Sequence, residues 1–195
     1  MAPTAFPNLL GVDWSKIPAP KDDGGARHLE GMRIPYVALT ATDATQVELA
    51  RLPGRVVVFA YPRTGQPGAP SLVDDWDMIP GARGCTPQTC AFRDLYKTMI
   101  GVGVARVFGL STQDSVYQRE AAERLHLPFP LLSDEKLALT HALRLPTMSV
   151  ADMTLIKRLA MIIDDGVIKK VFYPVFPPDR NAPDVLAWLE AHRPA

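Results

Sequence analysis

GCTPQTCAFRD, residues 84–94, holds both cysteines of this 195-residue chain. Proline is favoured in the first turn of a helix, so Thr86-Pro87 predicts that a helix begins beside Cys85. At a helix N-terminus, the free backbone N–H groups and the helix dipole favour the thiolate form of a cysteine. Cys85 is therefore a candidate nucleophile at the start of a helix.

Strands and helices alternate around this segment. Residues 55–61, RVVVFAY, are rich in β-branched and aromatic side chains, which is typical of a strand buried on both faces. The elements predicted after it are a helix over 86–100, a strand over 102–110, a helix over 115–125, an extended segment over 128–132, a helix over 133–143, a hairpin turn at 164–166 and a closing helix over 182–192. This order predicts an α/β fold with a mixed central β-sheet flanked by helices.

The composition indicates one domain that follows an extended N-terminal arm. Hydrophobic residues make up 47% of the chain, enough for one domain with a substantial core. Residues 1–29 are rich in Pro and Gly and show no sustained period, so we expect an arm over 1–29 and a folded domain over 30–195.

Charge and hydropathy argue against nucleic acid and membranes as partners. The 21 basic and 21 acidic residues balance, and no run of Lys or Arg forms a basic stripe. No apolar stretch reaches the ~18 residues of a membrane span, and the first residues do not resemble a secretory signal. We therefore expect a cytoplasmic protein.

Two thiols in the reducing cytoplasm are more often reactive than joined in a permanent disulfide. The other common metal ligands are scattered, and no grouping of histidines predicts a zinc site; the histidines are His28, His126, His141 and His192. We predict redox or nucleophilic chemistry that needs no metal and no organic cofactor.

The sequence resembles the peroxiredoxins, which are thiol peroxidases with a thioredoxin-like fold, and it resembles most their bacterioferritin-comigratory (Q) subfamily. The resemblance covers residues 30–190. The matching segments, in chain order, are Tyr61-Pro62, Gly84-Cys85-Thr86, Cys90, Arg93-Asp94, Gly109-Leu110-Ser111-Thr112, Phe129-Pro130-Leu131-Leu132-Ser133-Asp134 and Arg158. A thioredoxin-like fold and peroxidase activity are what this resemblance implies.

The resemblance also implies roles for the matching residues. Cys85 is the implied peroxidatic nucleophile, Cys90 the resolving thiol, and Arg158 the cation that stabilises the thiolate and the leaving oxygen. The implied peroxide-binding residues are Pro62, Gly84 and Thr86.

The implied partners are small molecules and a redox protein. Hydrogen peroxide and organic hydroperoxides are the implied substrates, and thioredoxin or a similar dithiol is the implied reductant. The oligomeric state is left open, with a homodimer among the alternatives.

One motif of the family is interrupted. The family places Pro seven residues, and Thr or Ser three residues, before the peroxidatic Cys, but this chain has Met78 and Ala82 there. The segment 61–64, YPRT, resembles the first half of that motif and is separated from Cys85 by an insertion over 65–82. Thr64 is therefore our candidate for the hydroxyl that orients the peroxide.

Cys85 and Cys90 cannot form a disulfide within an intact helix. Residues five apart in an α-helix have Cα atoms roughly 8–9 Å apart, whereas a disulfide needs about 4.4–6.8 Å. The hypothesis is a two-cysteine cycle in which the first turns of this helix unwind.

Two alternatives stay open. Residues 79–82, IPGA, also resemble the loop of the peroxiredoxin-five type, which would make Cys90 the peroxidatic residue. In the second alternative the interrupted motif marks the loss of peroxidase turnover, and the chain is a non-enzymatic redox sensor or binding module on the same fold.

Overall fold

The structure is a computed structural model that describes residues 12–193. The strands of this part of the chain are β1 (Ala38–Ala41), β2 (Gln46–Glu48), β3 (Arg55–Ala60), β4 (Val104–Ser111), β5 (Leu131–Ser133), β6 (Thr147–Val150), β7 (Met153–Ile156), β8 (Leu159–Asp164) and β9 (Val167–Phe172). The α-helices are α1 (Cys85–Gly101), α2 (Ser115–Arg124), α3 (Ala138–Leu143) and α4 (Asn181–Ala191).

Seven of these strands form one mixed sheet in the order β2-β1-β5-β4-β3-β8-β9, and β6 and β7 form a separate hairpin. β3 lies inside the sheet, where it pairs in parallel with β4 and antiparallel with β8. Its residues 56–60 are at most 1% exposed, in agreement with the apolar run that predicted a strand covered on both faces. The predicted α/β fold with a mixed central sheet flanked by helices is confirmed.

Successive residues of β3 point to opposite faces of the sheet and contribute to two separate hydrophobic clusters. Val56 and Val58 pack on one face, whereas Val57 and Phe59 pack on the other, beneath α1 and α4. The ring of Phe59 stacks on that of Phe92 from α1 at a centroid distance of 4.2 Å. This packing fixes the position of α1, and with it the position of Cys85.

The N-terminal arm has two parts in the structure. Residues 1–11 lie outside the described residues, and a short 3-10 turn at Trp14–Lys16 is followed by irregular chain. Ala26 and Leu29, however, are buried in the core at 6% and 0% exposure. The packed domain therefore begins before residue 30, because these apolar side chains of the predicted arm cover one face of the sheet.

Two features differ from the sequence-based expectation. The sequence did not predict the short hairpins β1–β2 and β6–β7, whose strands have three or four residues each. The helix predicted over 133–143 begins only at Ala138, because the Asp134 carboxylate accepts hydrogen bonds from the N–H groups of Leu139 and Thr140. Among residues 12–193, no helix is long and apolar enough to cross a membrane.

Candidate active site

Cys85 is the first residue of α1, and Gly84 precedes it as the N-cap with φ +103°. This left-handed conformation favours glycine. A Cβ at Gly84 would lie 2.4 Å from Cγ of Pro178 and 2.9 Å from the indole ring of Trp14. Backbone conformation and lack of space both require glycine immediately before the thiol.

The thiol of Cys85 is free and buried, with 4% of the residue exposed. Its Sγ lies 3.5 Å from the carbonyl oxygen of Ala82, which can accept a hydrogen bond from the S–H group. The hydroxyl of Thr89 donates to the carbonyl oxygen of Cys85 at 2.8 Å, one turn along α1. These contacts hold the cysteine at the N-terminal end of the helix.

Arg158 lies one residue before β8 and is the cation that approaches this thiol. Its Nη2 atom is 3.4 Å from Sγ of Cys85. The two N–H groups of the same atom are shared among the carbonyl oxygens of Gly81, Ala82 and Arg83, which lie at 3.2, 3.3 and 3.0 Å. The carbonyl oxygens of residues 81–83, at the end of the insertion and just after it, thus hold the guanidinium beside Cys85.

The charge of Arg158 lacks a carboxylate partner among residues 12–193. The residue is only 3% exposed, and burying an uncompensated charge is costly. A thiolate at Cys85 would offset that cost, because a nearby opposite charge favours the ionised form of a titratable group. The uncompensated guanidinium therefore lies directly against the sulfur of Cys85.

Gln88 binds the other terminal nitrogen of Arg158, Nη1, and is itself bound by Asn181. Gln88 is fully buried, and its Oε1 accepts a hydrogen bond from Nη1 of Arg158. Its Nε2 donates to Oδ1 of Asn181 at 2.8 Å and to the carbonyl oxygen of Ala60 at 3.4 Å. The sequence analysis missed both residues, although Gln88, three residues after Cys85, falls on the same helix face.

Cys90 is a free, buried thiol on the second turn of α1. Burial raises the pKa of the Cys90 thiol, and the positive charge of Arg93 opposes that shift only in part. Arg158 makes no hydrogen bond to Cys90 in the described part of the chain. The structure thus places the buried cation at Cys85, which favours Cys85 over Cys90 as the reactive thiol.

Thr64 is buried, and its hydroxyl and backbone N–H both donate to Gln113. Its hydroxyl donates to Oε1 of Gln113 at 3.1 Å, and its backbone N–H donates to the same oxygen at 2.9 Å. Within residues 12–193, no hydrogen bond joins Thr64 to Cys85 or to Arg158. The hydroxyl of Thr64 is thus engaged by Gln113.

Pro62 is buried two residues after the end of β3, and Thr86 is half-buried in the first turn of α1.

A small cavity of about 100 Å³ borders Arg158; its other walls include Pro20 and Lys21 of the arm and Gly81 of the insertion. The arm and the insertion therefore both contribute to the surroundings of the guanidinium.

Comparisons with known proteins identify the family. The Redoxin family matches residues 29–189 of this chain. The chloroplastic peroxiredoxin Q of Oryza sativa subsp. japonica is 31% identical over 166 residues, which cover 83% of this chain and 67% of the relative. The chloroplastic peroxiredoxin Q of Suaeda salsa is 30% identical over 168 residues, which cover 85% of this chain and 70% of the relative.

Solved structures of other peroxiredoxins share the fold of this chain. Peroxidoxin BcpB from Mycobacterium tuberculosis superposes with a TM-score of 0.68 at 27% identity, covering 85% of this chain and 98% of that structure. Peroxiredoxin Q from Xanthomonas campestris has a TM-score of 0.67 at 22% identity over 86% of this chain and 98% of that structure, which supports the thioredoxin-like fold. The chain therefore belongs to the redoxin family and is a peroxiredoxin of the Q, or bacterioferritin-comigratory, subfamily, which makes it a thiol-dependent peroxidase.

Proposed function

We propose that this peroxiredoxin reduces hydrogen peroxide and organic hydroperoxides with Cys85 as the nucleophile. The observation that carries the proposal is the contact of 3.4 Å between Nη2 of Arg158 and Sγ of Cys85. A thiolate reacts with peroxides far faster than a thiol does, and this contact together with the helix N-terminus favours the thiolate.

The first step is a displacement at oxygen. The sulfur of Cys85 attacks one oxygen of the peroxide, so that an S–O bond forms while the O–O bond breaks. Sulfur is oxidised to a sulfenic acid, and the departing alkoxide or hydroxide takes up a proton to leave as an alcohol or water. Arg158 stabilises the negative charge that develops on the departing oxygen.

The second step joins the two cysteines. The thiol of Cys90 attacks the sulfenic sulfur of Cys85, an S–S bond forms and water leaves. A dithiol such as thioredoxin then attacks the disulfide, becomes oxidised itself and returns both cysteines to the reduced state. Because Cys85 and Cys90 lie on one continuous helix in the reduced protein, the first turns of α1 must unwind before this bond can form.

Thr64 is left out of the proposed catalytic set because its hydroxyl is already donated to Gln113. The carbonyl oxygen of Ala82 and the Arg158 guanidinium both lie within 3.5 Å of Sγ of Cys85. We propose that Gly84 and Thr86 border the peroxide on the helix side and that Pro62 borders it from the end of β3.

The test is the intact mass of the reduced protein after brief exposure to one equivalent of hydrogen peroxide, with peptide mapping of the modified cysteines. The expected result is the loss of two hydrogens, mapped to Cys85 and Cys90. Cys90→Ser should instead gain one oxygen on Cys85, and Cys85→Ser should keep its mass. If Cys90 alone is oxidised, the peroxidatic assignment is reversed.

A wild-type mass that does not change would contradict the peroxidase proposal. Together with a reaction rate close to that of a free thiol, it would favour the redox sensor or binding module instead. A rapid reaction with both hydrogen peroxide and a small organic hydroperoxide supports the proposed substrate range.

The reductant, the location and the assembly are further proposals. Thioredoxin should restore both thiols faster than a monothiol at equal concentration, because its second thiol resolves the mixed disulfide within one molecule. The cytoplasm stays a prediction, since the plant relatives are chloroplastic proteins. A homodimer also stays a prediction, and sedimentation of the reduced and the oxidised protein tests it.

A further inference from the structure

We propose that Asn181, the first residue of α4, is a positioning residue that holds Arg158 at Cys85 through Gln88. The inference rests on the proposed function and assigns the C-terminal helix a part in it. Asn181 touches neither the thiol nor the peroxide in this scheme. It acts only by binding the NH2 group of Gln88 and so fixing the carboxamide with its oxygen toward the guanidinium.

The orientation of Gln88 matters because a carboxamide has a donor end and an acceptor end. Oε1 of Gln88 accepts from Nη1 of Arg158, while Nε2 points away toward Asn181. If the carboxamide turned by 180°, its NH2 group would face the N–H groups of the guanidinium, donor against donor. Arg158 would then lose one of the groups that hold it beside Cys85.

Asn181 is the partner best placed to prevent that turn. Its Oδ1 lies 2.8 Å from Nε2 of Gln88, whereas the carbonyl oxygen of Ala60 lies 3.4 Å away, near the limit of a hydrogen bond. Gln88 and Asn181 are 0% and 2% exposed, so water does not readily replace a lost partner there. Of the two acceptors that bind Nε2 of Gln88, Asn181 is therefore the stronger, and it supports the orientation that presents Oε1 to Arg158.

Both side chains of this pair are uncharged, and this suits a site that needs a cation. A carboxylate at position 88 would pair with the guanidinium and compete with the thiolate for its charge. The carboxamides of Gln88 and Asn181 hold Arg158 in place by hydrogen bonds and leave its positive charge for Cys85.

α4 can serve as a fixed support for this contact. Its residues Ala182, Val185 and Leu189 are fully buried in the hydrophobic cluster that also holds Cys85. Unwinding of the first turns of α1 would carry Gln88 away, while Asn181 would stay on α4.

The experiment measures alkylation of Cys85 by iodoacetamide as a function of pH, in a Cys90→Ser background where Cys85 is the only thiol. Asn181→Leu removes the acceptor and keeps a side chain with the same branching and the same number of heavy atoms. We expect it to slow alkylation at pH 7 by about 3- to 10-fold, the range for the loss of one neutral hydrogen bond. The pH profile should also move toward higher pH, because the thiolate is favoured less.

A double-mutant cycle tests whether Asn181 acts through Gln88. Gln88→Leu alone should slow the reaction at least as much, and adding Asn181→Leu should slow it no further. The control is Asp184→Asn, an exposed substitution on the same helix, which should leave the rate unchanged. Circular dichroism and thermal unfolding verify that α4 stays folded in each variant.

Two outcomes would overturn the inference. In the first, Asn181→Leu slows alkylation by the same factor whether position 88 is Gln or Leu. In the second, Asn181→Leu lowers the melting temperature but leaves the pH profile of alkylation unchanged. Since alkylation involves no peroxide, these outcomes are separate from a failure of the proposed peroxidase function, which the peroxide experiment above detects.

Discussion

The guanidinium of Arg158 and the thiol of Cys85 meet inside the protein, with Nη2 3.4 Å from Sγ and both residues less than 5% exposed. Arg158 reaches this position from the start of β8, across the end of the insertion, and it binds three successive carbonyl oxygens on the way. Nη2 shares its two N–H groups among these acceptors, while Nη1 of the same planar guanidinium binds Gln88. The reactivity of Cys85 should therefore depend on the shape of this side chain as well as on its charge.

Arg158→Lys tests that dependence. A lysine keeps the charge but has one nitrogen, so it cannot bind Cys85 and the Gln88 carboxamide from two separate nitrogens, as Nη2 and Nη1 of the guanidinium do. We expect the second-order rate constant for hydrogen peroxide to fall by about 10- to 100-fold, as for the loss of a charged hydrogen bond. Competition kinetics measure it, with Arg106→Lys, an exposed change on β4, as the control. An unchanged rate in Arg158→Lys would show that charge alone suffices.

Disulfide formation should unwind the start of α1. Hydrogen exchange of the reduced and the peroxide-treated protein is expected to show faster exchange over 86–90 after oxidation and unchanged exchange in α4. Cys90→Ser treated in the same way is the control, because it forms no intramolecular disulfide. Unchanged protection of α1 in a sample whose disulfide is confirmed by mass would contradict the unwinding.

The sequence predicted those parts of the site that rest on local signals. Pro87 in the first helical turn located the start of α1, and the apolar run 55–61 located β3. These signals act between neighbouring residues, so they can be read without knowing the fold. They sufficed to place Cys85 at the N-terminal end of a helix.

The rest of the site depends on contacts between distant segments. Gln88 and Asn181 are 93 residues apart, and nothing near Asn181 indicates that it meets another amide. The oxygens that hold Nη2 of Arg158 are backbone carbonyls, which every residue type carries. Thr64 matched a motif, but its hydroxyl is paired with Gln113, a partner 49 residues away.

The buried thiol of Cys90 should react slowly while the protein is folded. Burial raises the pKa of the Cys90 thiol, which favours its protonated form at neutral pH. In Cys85→Ser, we expect alkylation of Cys90 at pH 7 to be slow in buffer and rapid in denaturant, as measured by mass. Equal rates in both conditions would mean that the folded protein does not protect Cys90.

Gly84→Ala should lower the free energy of unfolding more than Gly31→Ala does, although both glycines have a positive φ. Gly84 and Gly31 have φ of +103° and +87°, but a Cβ at Gly31 meets nothing within 4 Å, whereas one at Gly84 would collide with Pro178. We expect Gly31→Ala to cost about 1–3 kcal/mol of unfolding free energy from strain alone, and Gly84→Ala to cost more. Chemical unfolding measures both. Equal losses would mean that the loop around Pro178 adjusts.

Asp23 links the arm by hydrogen bonds to Lys157 and Tyr173, which line the cavity that borders Arg158. Its carboxylate accepts hydrogen bonds from Nζ of Lys157 at 2.6 Å and from the hydroxyl of Tyr173 at 2.7 Å. The bond from Lys157, the neighbour of Arg158 in sequence, contributes most to holding the pKa of Asp23 well below its ordinary value of 3.8, and the bond from Tyr173 adds to it.

This pKa shift predicts how the stability of the protein depends on pH. Because the pKa is lower in the folded state than in the unfolded state, the contribution of Asp23 is fully present well above pH 3.8 and is lost as the pH falls below it. The stability difference between wild type and Asp23→Asn should therefore be largest from about pH 5 to pH 7 and shrink toward pH 2. Thermal unfolding across this range measures it, with Asp74→Asn, an exposed aspartate of the insertion, as the control. A constant difference at every pH would show that Asp23 stabilises the arm without its charge.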